Sequence, residues 1–390
     1  MALSPLNSRR WRNFTRNRRA YWSLWIFLVL FVLSLLAEFL ANDKPILVNY
    51  RGEYYMPIFS FYPETAFGGD FQTEAVYRDP EVKCLIATGG LEQCFDDPDA
   101  YLEDAKDGEV DGEAIEKGWA IWPPIPYSFN TAVDRAGASP LPPDVIGFYT
   151  DDQGESRFGL LPPDQRGHNL LGTDYPKRDV MARVIHGFRL SIVFTILVTG
   201  AATVIGIVAG AVQGFFGGWV DLIFQRIIEI WSSTPSLYVI IIMFAILGRS
   251  FWLLVFLLVL FSWTALVGVV RAEFLRARNL EYVRAARALG VGNVTIMFRH
   301  MLPNAMVATL TMLPFIITGT ISSLAVLDYL GFGLPSSAPS LGELTLQAKQ
   351  NLEAPWLAFT AFFTFAIMLS LLVFIFEGVR DAFDPRKTFS

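Results

Sequence analysis

Residues 279–304 read NLEYVRAARALGVGNVTIMFRHMLPN, and the placement of this segment decides the architecture of the chain. It is basic and turn-forming, and it lies between two apolar runs at 251–270 and 305–327. Asn279 is suited to cap a helix, and Glu281 to its first turn, where the helix dipole favours an anion. At about 100° per residue, Tyr282, Ala285, Ala286 and Leu289 share one face and Arg284 and Arg287 the other. That apolar face is small, which suits close approach to a groove in another protein. Gly290 is suited to the left-handed conformation that ends a helix. Asn293 is placed to cap a second short helix, and Pro303 to enter the first turn of the next span. The bland alternative is an ordinary basic loop beside a membrane helix.

The rest of the composition belongs to a membrane protein: mean hydropathy is +0.40, with 53% hydrophobic and 14% aromatic residues. Runs able to cross about 30 Å of hydrocarbon lie at 21–41, 190–212, 251–270, 305–327 and 356–376. A sixth is weaker, with only 236–247 cleanly apolar, so that span must begin near Ile227 and carry Glu229 and Pro235. Six spans are therefore expected, the third interrupted, in an all-α polytopic protein. Pro235 and Glu229 read either as a kink at a cavity or as an interface position for Glu229 beside Arg226.

Charge orients these spans. Residues 1–20 hold six Arg and no acid, so the basic N-terminus is expected in the cytoplasm. The first span at 21–41 reads as a retained anchor, since its apolar run is too long for a signal peptide and lacks a small-residue cleavage site. Six spans return the tail at 382–390 to the same side. The segment 276–303, inside the membrane core of 190–381, also lands there, with six Arg from Arg271 to Arg299. Gly206, Gly210 and Gly214 form a small-residue ridge, which reads as helix packing.

The loop 42–189 is expected to be a domain of its own on the periplasmic face. It holds 26 of the 37 acidic residues and 14 of the 22 prolines, so the net charge of −6 describes this loop rather than the partners of the whole chain. Pro-Pro pairs at 123–124, 142–143 and 162–163 argue for extended or turn-rich structure. The acidic run at 99–117 reads as a solvated surface. Both cysteines, Cys84 and Cys94, lie in this loop, and in an oxidising compartment they are expected to be bridged. Two thiols without a nearby His make no metal site, and none is expected elsewhere.

Ala285-Ala286, Gly290 four residues on, and Leu302-Pro303 twelve further on resemble the coupling loop of the permeases of binding-protein-dependent ABC importers. Arg284 stands where that family has Glu, and His300 where it has Ile. The resemblance implies a type I ABC importer permease fold and names Asn279, Glu281, Tyr282, Ala285, Ala286, Leu289, Gly290, Leu302 and Pro303 as the ATPase-coupling segment. A second match, Gly172-Thr173-Asp174 followed by Arg178-Asp179-Val180, resembles the junction before the second span in the oligopeptide/dipeptide branch. There the spacer filled here by Tyr175-Pro176-Lys177 usually carries a Gly. Ser4-Pro5 before the Arg-rich run fits the C-type member of that branch, and Asp328-Tyr329-Leu330-Gly331-Phe332-Gly333 follows span five in the same order. The segment Trp122-Pro123-Pro124-Ile125-Pro126-Tyr127 is similar to the Yej peptide-uptake subfamily, which implies oligopeptides and a peptide-nucleotide antibiotic as substrates. Trp119, Trp122 and Tyr127 otherwise read as the core of a Pro-rich domain, or as a surface for a binding protein.

The resemblance implies a pore-forming subunit of an ATP-driven peptide importer in the bacterial inner membrane. The chain holds no G-x-x-x-x-G-K-[ST], and none of its seven Lys follows a Gly, so it supplies no P-loop. ATP and Mg²⁺ are therefore expected on a partner ATP-binding cassette subunit, with no cofactor on this chain. A second permease, a periplasmic peptide-binding protein and the lipid bilayer complete the expected partners; nucleic acid is not among them. Two other readings are a self-contained secondary transporter or channel, which would usually show inverted repeats, and a membrane-anchored sensor or enzyme. No repeat is visible, and H-E-x-x-H and G-x-S-x-G are absent.

Overall fold

A computed structural model describes residues 5–383, apart from 106–108, 111–112, 115, 134–136, 138, 151–155 and 163–165. The tail beyond residue 383, Ser4, Pro163 and part of the acidic run at 99–117 thus lie outside the described residues. The chain divides into two compact units. One comprises Met1–Phe31, Gly187–Gln350 and Ala358–Ser390; the other, Val32–His186 and Asn351–Leu357.

Apolar composition and helical length coincide in the helices that make up most of the first unit. Among the described residues, Arg18–Leu35, Val180–Phe216, Phe251–Ala277, Asn293–Tyr329 and Pro355–Phe383 are long and apolar enough to cross a membrane. A further pair, Gly218–Ser232 and Ser236–Leu247, meets the same standard jointly but is bent by 68°. Pro235 sits at the bend as the residue preceding the second helix; it has no N–H to donate and its ring excludes a continuous helix. Arg226 and Glu229 pair at 2.5 Å on an exposed face, so the carboxylate meets its neighbour on the same helix.

The helix expected from 190 begins at Val180. Asp179 starts it by accepting from the Ala182 N–H at 2.7 Å, the bond that satisfies an orphan donor of the first turn. Its early turns carry Arg183 and His186, both fully buried, which hydropathy counts as polar and therefore places outside the span. Farther along, apolar side chains of several helices (Phe194, Val198, Phe244, Leu254, Leu257, Leu324) form one cluster. A helix that no apolar run announces, Leu341–Gln350, lies between Asn293–Tyr329 and Pro355–Phe383. Asp328 closes the turn before it, accepting from the Leu334 N–H at 2.7 Å and from the Ser340 hydroxyl. The Ser340 oxygen in turn accepts from the Gly342 N–H at 3.1 Å.

The second unit corrects the all-α expectation. Strand Leu47–Tyr50 pairs antiparallel with Glu53–Tyr55 on one side and Trp119–Ile121 on the other, and Ile146–Thr150 pairs antiparallel with Ser156–Leu160. Alternation in the central strand buries Val48 and Tyr50 against Phe67, Tyr77, Val82 and Ile86. Phe67 is the hub, with the rings of Tyr50, Tyr55 and Tyr77 at 5.5, 5.2 and 5.6 Å, the tilted or edge-on arrangements aromatic quadrupoles favour. Burial raises the Tyr77 phenol well above its ordinary range. Cys84, on helix Pro80–Thr88, is bonded to Cys94 with a Cα–Cα separation of 5.6 Å, and both sulfurs are buried. Of the three aromatics read as core, Trp122 packs against the cluster and Tyr127 is buried under the Arg78 guanidinium at 3.9 Å. Trp119 is instead 43% exposed, because it takes the outward position of its strand, beside the Tyr54 ring at 6.2 Å.

Candidate functional site

The segment at 279–304 folds as a short helix between two long ones. Helix Thr264–Ala277 ends with the Arg278 N–H donating to Phe274 at 2.9 Å. A turn through Asn279 and Leu280 leads into the helix Glu281–Ala288. Asn279 does not cap it: the cap residue is Leu280, with extended backbone and no side-chain bond. Leu280 instead lends its carbonyl to the N–H groups of Val283 and Arg284 at 3.1 and 3.2 Å. Glu281 occupies the first turn, where its charge favours the helix N-terminus.

The C-terminal end is a Schellman turn. Gly290 has φ +77°; its N–H donates to Arg287 at 3.0 Å, and the Val291 N–H reaches back to Ala286 at 3.1 Å, the paired bonds of that motif. Nothing lies within 4 Å of where a Gly290 Cβ would stand, so backbone conformation rather than space demands glycine.

One row of this helix faces inward and the rest outward. Val283 and Ala286 are buried in a cluster with Phe215, Phe274, Met297 and Met301, contributed by three other helical segments. Burying two aliphatic side chains there contributes about 2–3 kcal/mol. Ala286 therefore belongs to the anchored row and not to the outward face on which the periodicity places it, and Val283, which the motif does not name, is the anchor. Tyr282, Ala285 and Leu289 are exposed, Leu289 to 83%. Tyr282 accepts from the Asn304 amide at 3.3 Å, and the Arg287 guanidinium lies 5.0 Å from the Phe215 ring.

Beyond Gly290 the chain enters a continuous helical run. Asn293 is its first helical residue and not its cap, which is Gly292. Residues Ile296–Met301 form a π-helix before Leu302–Tyr329. Pro303 stands in the first turn of Leu302–Tyr329, as expected, although the π-helix ahead of it makes that helix the continuation of a longer helical run; there a missing N–H and a bulky ring are tolerated. Leu302 packs against the same buried cluster.

The neighbouring helices approach closely at the glycine ridge. A Cβ on Gly206 would stand 2.6 Å from the Trp263 carbonyl, one on Gly210 2.8 Å from that of Val267, and one on Gly214 2.6 Å from that of Arg271. Arg271 also grips Asp221 of the bent pair, Nη2 to Oδ2 at 2.6 Å, in the two-bond geometry of an Arg–carboxylate fork. The pair carries opposite charges fifty residues apart in sequence, and nothing in the local pattern announces it.

The second motif builds a polar knot in the other unit. Gly172 has φ +74°, and a Cβ there would stand 2.8 Å from the Leu141 carbonyl and 3.0 Å from the Trp356 indole nitrogen. Thr173 is paired with Leu141 through its backbone N–H at 2.9 Å and its hydroxyl at 2.8 Å, and its carbonyl accepts from Trp356 at 3.1 Å. The buried Asp174 carboxylate holds the Arg178 guanidinium at 2.8 Å and lies 3.3 Å from Arg183 Nε. Lys177 takes the positive φ, +74°, for which glycine is the usual residue. Burial, reinforced by nearby Asp144, pushes the Asp179 carboxyl up to about 7 against the pull of the Ala182 N–H.

Residues 202–389 match the family described as the binding-protein-dependent transport system inner membrane component. Residues 4–57 match the N-terminal transmembrane domain of oligopeptide transport permease C. The chain is 52% identical to the peptidoglycan transport system permease protein YejE of Agrobacterium fabrum, over 99% of this chain and 94% of that one. It is 48% identical to the inner membrane ABC transporter permease protein YejE of Escherichia coli, over 99% and 98%. A chain of the inward-facing MetNI methionine ABC transporter aligns with 53% of this chain and 98% of its own length, at a TM-score of 0.46 and 17% identity. Similarity at this level over nearly the whole length of two permeases means that the chain belongs to the family of inner-membrane permease subunits of binding-protein-dependent ABC transporters.

Proposed function

We propose that this permease is one of two homologous pore-forming subunits of an importer of peptides, and that the helix Glu281–Ala288 is the lever through which ATP hydrolysis on another chain drives it. The observation that carries the reading is the two-sided seating of that helix. Val283 and Ala286 lock it into a core shared with Phe215, Phe274 and Met301, while Leu289 and Tyr282 face outward. A force on the outward side would pass into the span helices without being absorbed by a loose loop. The coupling role falls on Glu281, Tyr282, Ala285, Leu289 and Gly290 as the face and its stop, and on Leu302 and Pro303 as the start of the transmitted movement.

In this reading six spans, counting the bent pair as one, place both termini and the coupling helix in the cytoplasm. The 42–189 insertion then faces the periplasm, where a peptide-binding protein delivers substrate. ATP and Mg²⁺ belong to the ATP-binding cassette partner. Support for peptides comes from the oligopeptide-permease match at 4–57 and from a relative named for peptidoglycan transport, whose fragments carry short peptides.

The test is Gly290→Val in the assembled complex reconstituted in vesicles. Forcing a β-branched residue to positive φ costs about 1–2 kcal/mol, little for the membrane fold but enough to undo the Schellman turn. The variant is expected to insert and assemble, with substrate-stimulated ATP hydrolysis and peptide uptake both reduced several-fold. Unchanged values for both would make the segment a passive connector and remove the basis of the proposal.

A further inference from the structure

Arg10, Arg16, Arg18 and Arg19, among the six arginines of the first twenty residues, line two cavities. Helix Pro5–Arg16 turns at Asn17, whose side chain accepts from the Ala20 N–H at 3.2 Å, into the helix Arg18–Leu35. This elbow is clamped to the last helix: Phe14 and Ala20 are buried with Ala382, and Leu24, Val379 and Phe383 pack against them. A cavity of about 370 Å³ opens there, its wall almost wholly apolar and built from Trp11, Phe14, Leu24, Ile375 and Val379. Arg10 lies at its edge, over the Phe383 ring at 4.3 Å. A second cavity of about 400 Å³ is formed by the same stretches of chain, with Arg16, Arg18 and Arg19 along its wall. Glu377, 4.0 Å from Arg380, is the carboxylate that shares it.

An apolar chamber beside a cationic one, at the membrane-entering end of a span, matches the two ends of one ligand. We infer that the elbow binds a single anionic phospholipid, its phosphodiester on Arg16, Arg18 and Arg19 and part of one acyl chain in the chamber under Trp11 and Phe14. Depth agrees with this: Trp22 and Trp25, one and two turns into the span, are 62% and 45% exposed, as expected of an aromatic belt at headgroup level. Three guanidiniums against one carboxylate leave the cavity net positive, so a zwitterionic headgroup gains less there than an anionic one. Free phosphate would leave the apolar chamber unused. Arg12, exposed on the same helix, lines neither cavity.

The full-length protein, with the subunits that copurify with it, is reconstituted in phosphatidylcholine vesicles carrying a trace of spin-labelled phosphatidylglycerol or spin-labelled phosphatidylcholine. Electron paramagnetic resonance then reads the immobilised fraction of each label. Wild type is expected to prefer phosphatidylglycerol roughly fivefold, the effect of about one arginine near the surface. R16Q/R19Q should bring that preference close to parity, as should Val379→Phe, which fills the chamber and leaves every charge in place. Arg12→Gln should keep it. Equal immobilisation of the two lipids by wild type would overturn the site, as would retention of the preference in both cavity variants. Equal loss in Arg12→Gln would also overturn it, by showing diffuse surface charge.

Discussion

The two units of this chain cohere by opposite means. The unit built from Val32–His186 relies on directional bonds: a disulfide, aromatic edges around Phe67, and the Asp174 carboxylate shared by Arg178 and Arg183. The unit that carries the spans relies on fit, with backbone carbonyls of one helix against the bare glycines of another. The difference follows from solvent. Water makes burial of an aromatic favourable and isolates a buried charge, whereas lipid makes a leucine indifferent to its neighbour, so only closeness separates helix from tail. A lost charge should therefore injure the first unit most, and an added methyl group the second.

The largest expected effect sharpens this contrast. Asp174→Ala leaves Arg178 and Arg183 buried with less compensating charge, a change that costs on the order of 3–5 kcal/mol. We expect early proteolysis within 133–180 while the long helices stay protected; equal protection throughout would mean that the knot does not hold its unit together. Next comes Gly210→Leu, whose Cβ would stand 2.8 Å from both the Val267 carbonyl and the Val270 Cβ. Overpacking of this kind costs about 3 kcal/mol, measured as a lower thermal midpoint of the extracted protein. Gly200→Leu, on the same helix with nothing within 4 Å, should leave that midpoint unmoved, and a matching loss would refute close packing as the cause.

Reduction of Cys84–Cys94 should cost the hydrophilic unit about 2–3 kcal/mol by freeing a short loop in the unfolded chain. Scanning calorimetry with and without reductant should show one transition shifting down and the membrane transition staying in place. The smallest effect is Asp179→Asn. The carboxyl is raised to about 7, so its stabilising contribution is complete below the ordinary range near 4 and is lost as pH rises through about 7. Amide exchange in the first turn after Asp179 should accelerate from pH 5 to 8 in wild type. The variant, which keeps an acceptor for Ala182, should show a flatter profile once the intrinsic pH dependence of exchange is removed, and an unchanged slope would assign it elsewhere.

How much of this was legible depends on the range of the force involved. The spans were visible because about twenty apolar residues in succession have few other uses, and the break at Pro235 because a proline cannot donate. Gly290 was readable for the same local reason: the end of a short helix calls for positive φ. The caps at Asn279 and Asn293 were misread because a polar side chain suited to capping does not decide where the helix starts. Packing of Val283 and Ala286 into the core decided that. Helix Leu341–Gln350 has no apolar run to announce it, and the strands at 47–55 are too short to stand out among turns.

By itself, the order of residues determined that the chain enters a membrane several times, that its cysteines lie close enough to join, and that glycines recur along one helix face. Each of these depends on composition or on spacing within a few turns. Only the tertiary structure decided which row of the helix Glu281–Ala288 is anchored, that Arg271 holds Asp221, that Asp174 serves two arginines, and that Trp119 faces outward. Those outcomes are set by segments distant in sequence competing for the same space and the same charge, and no local pattern records which of them arrives.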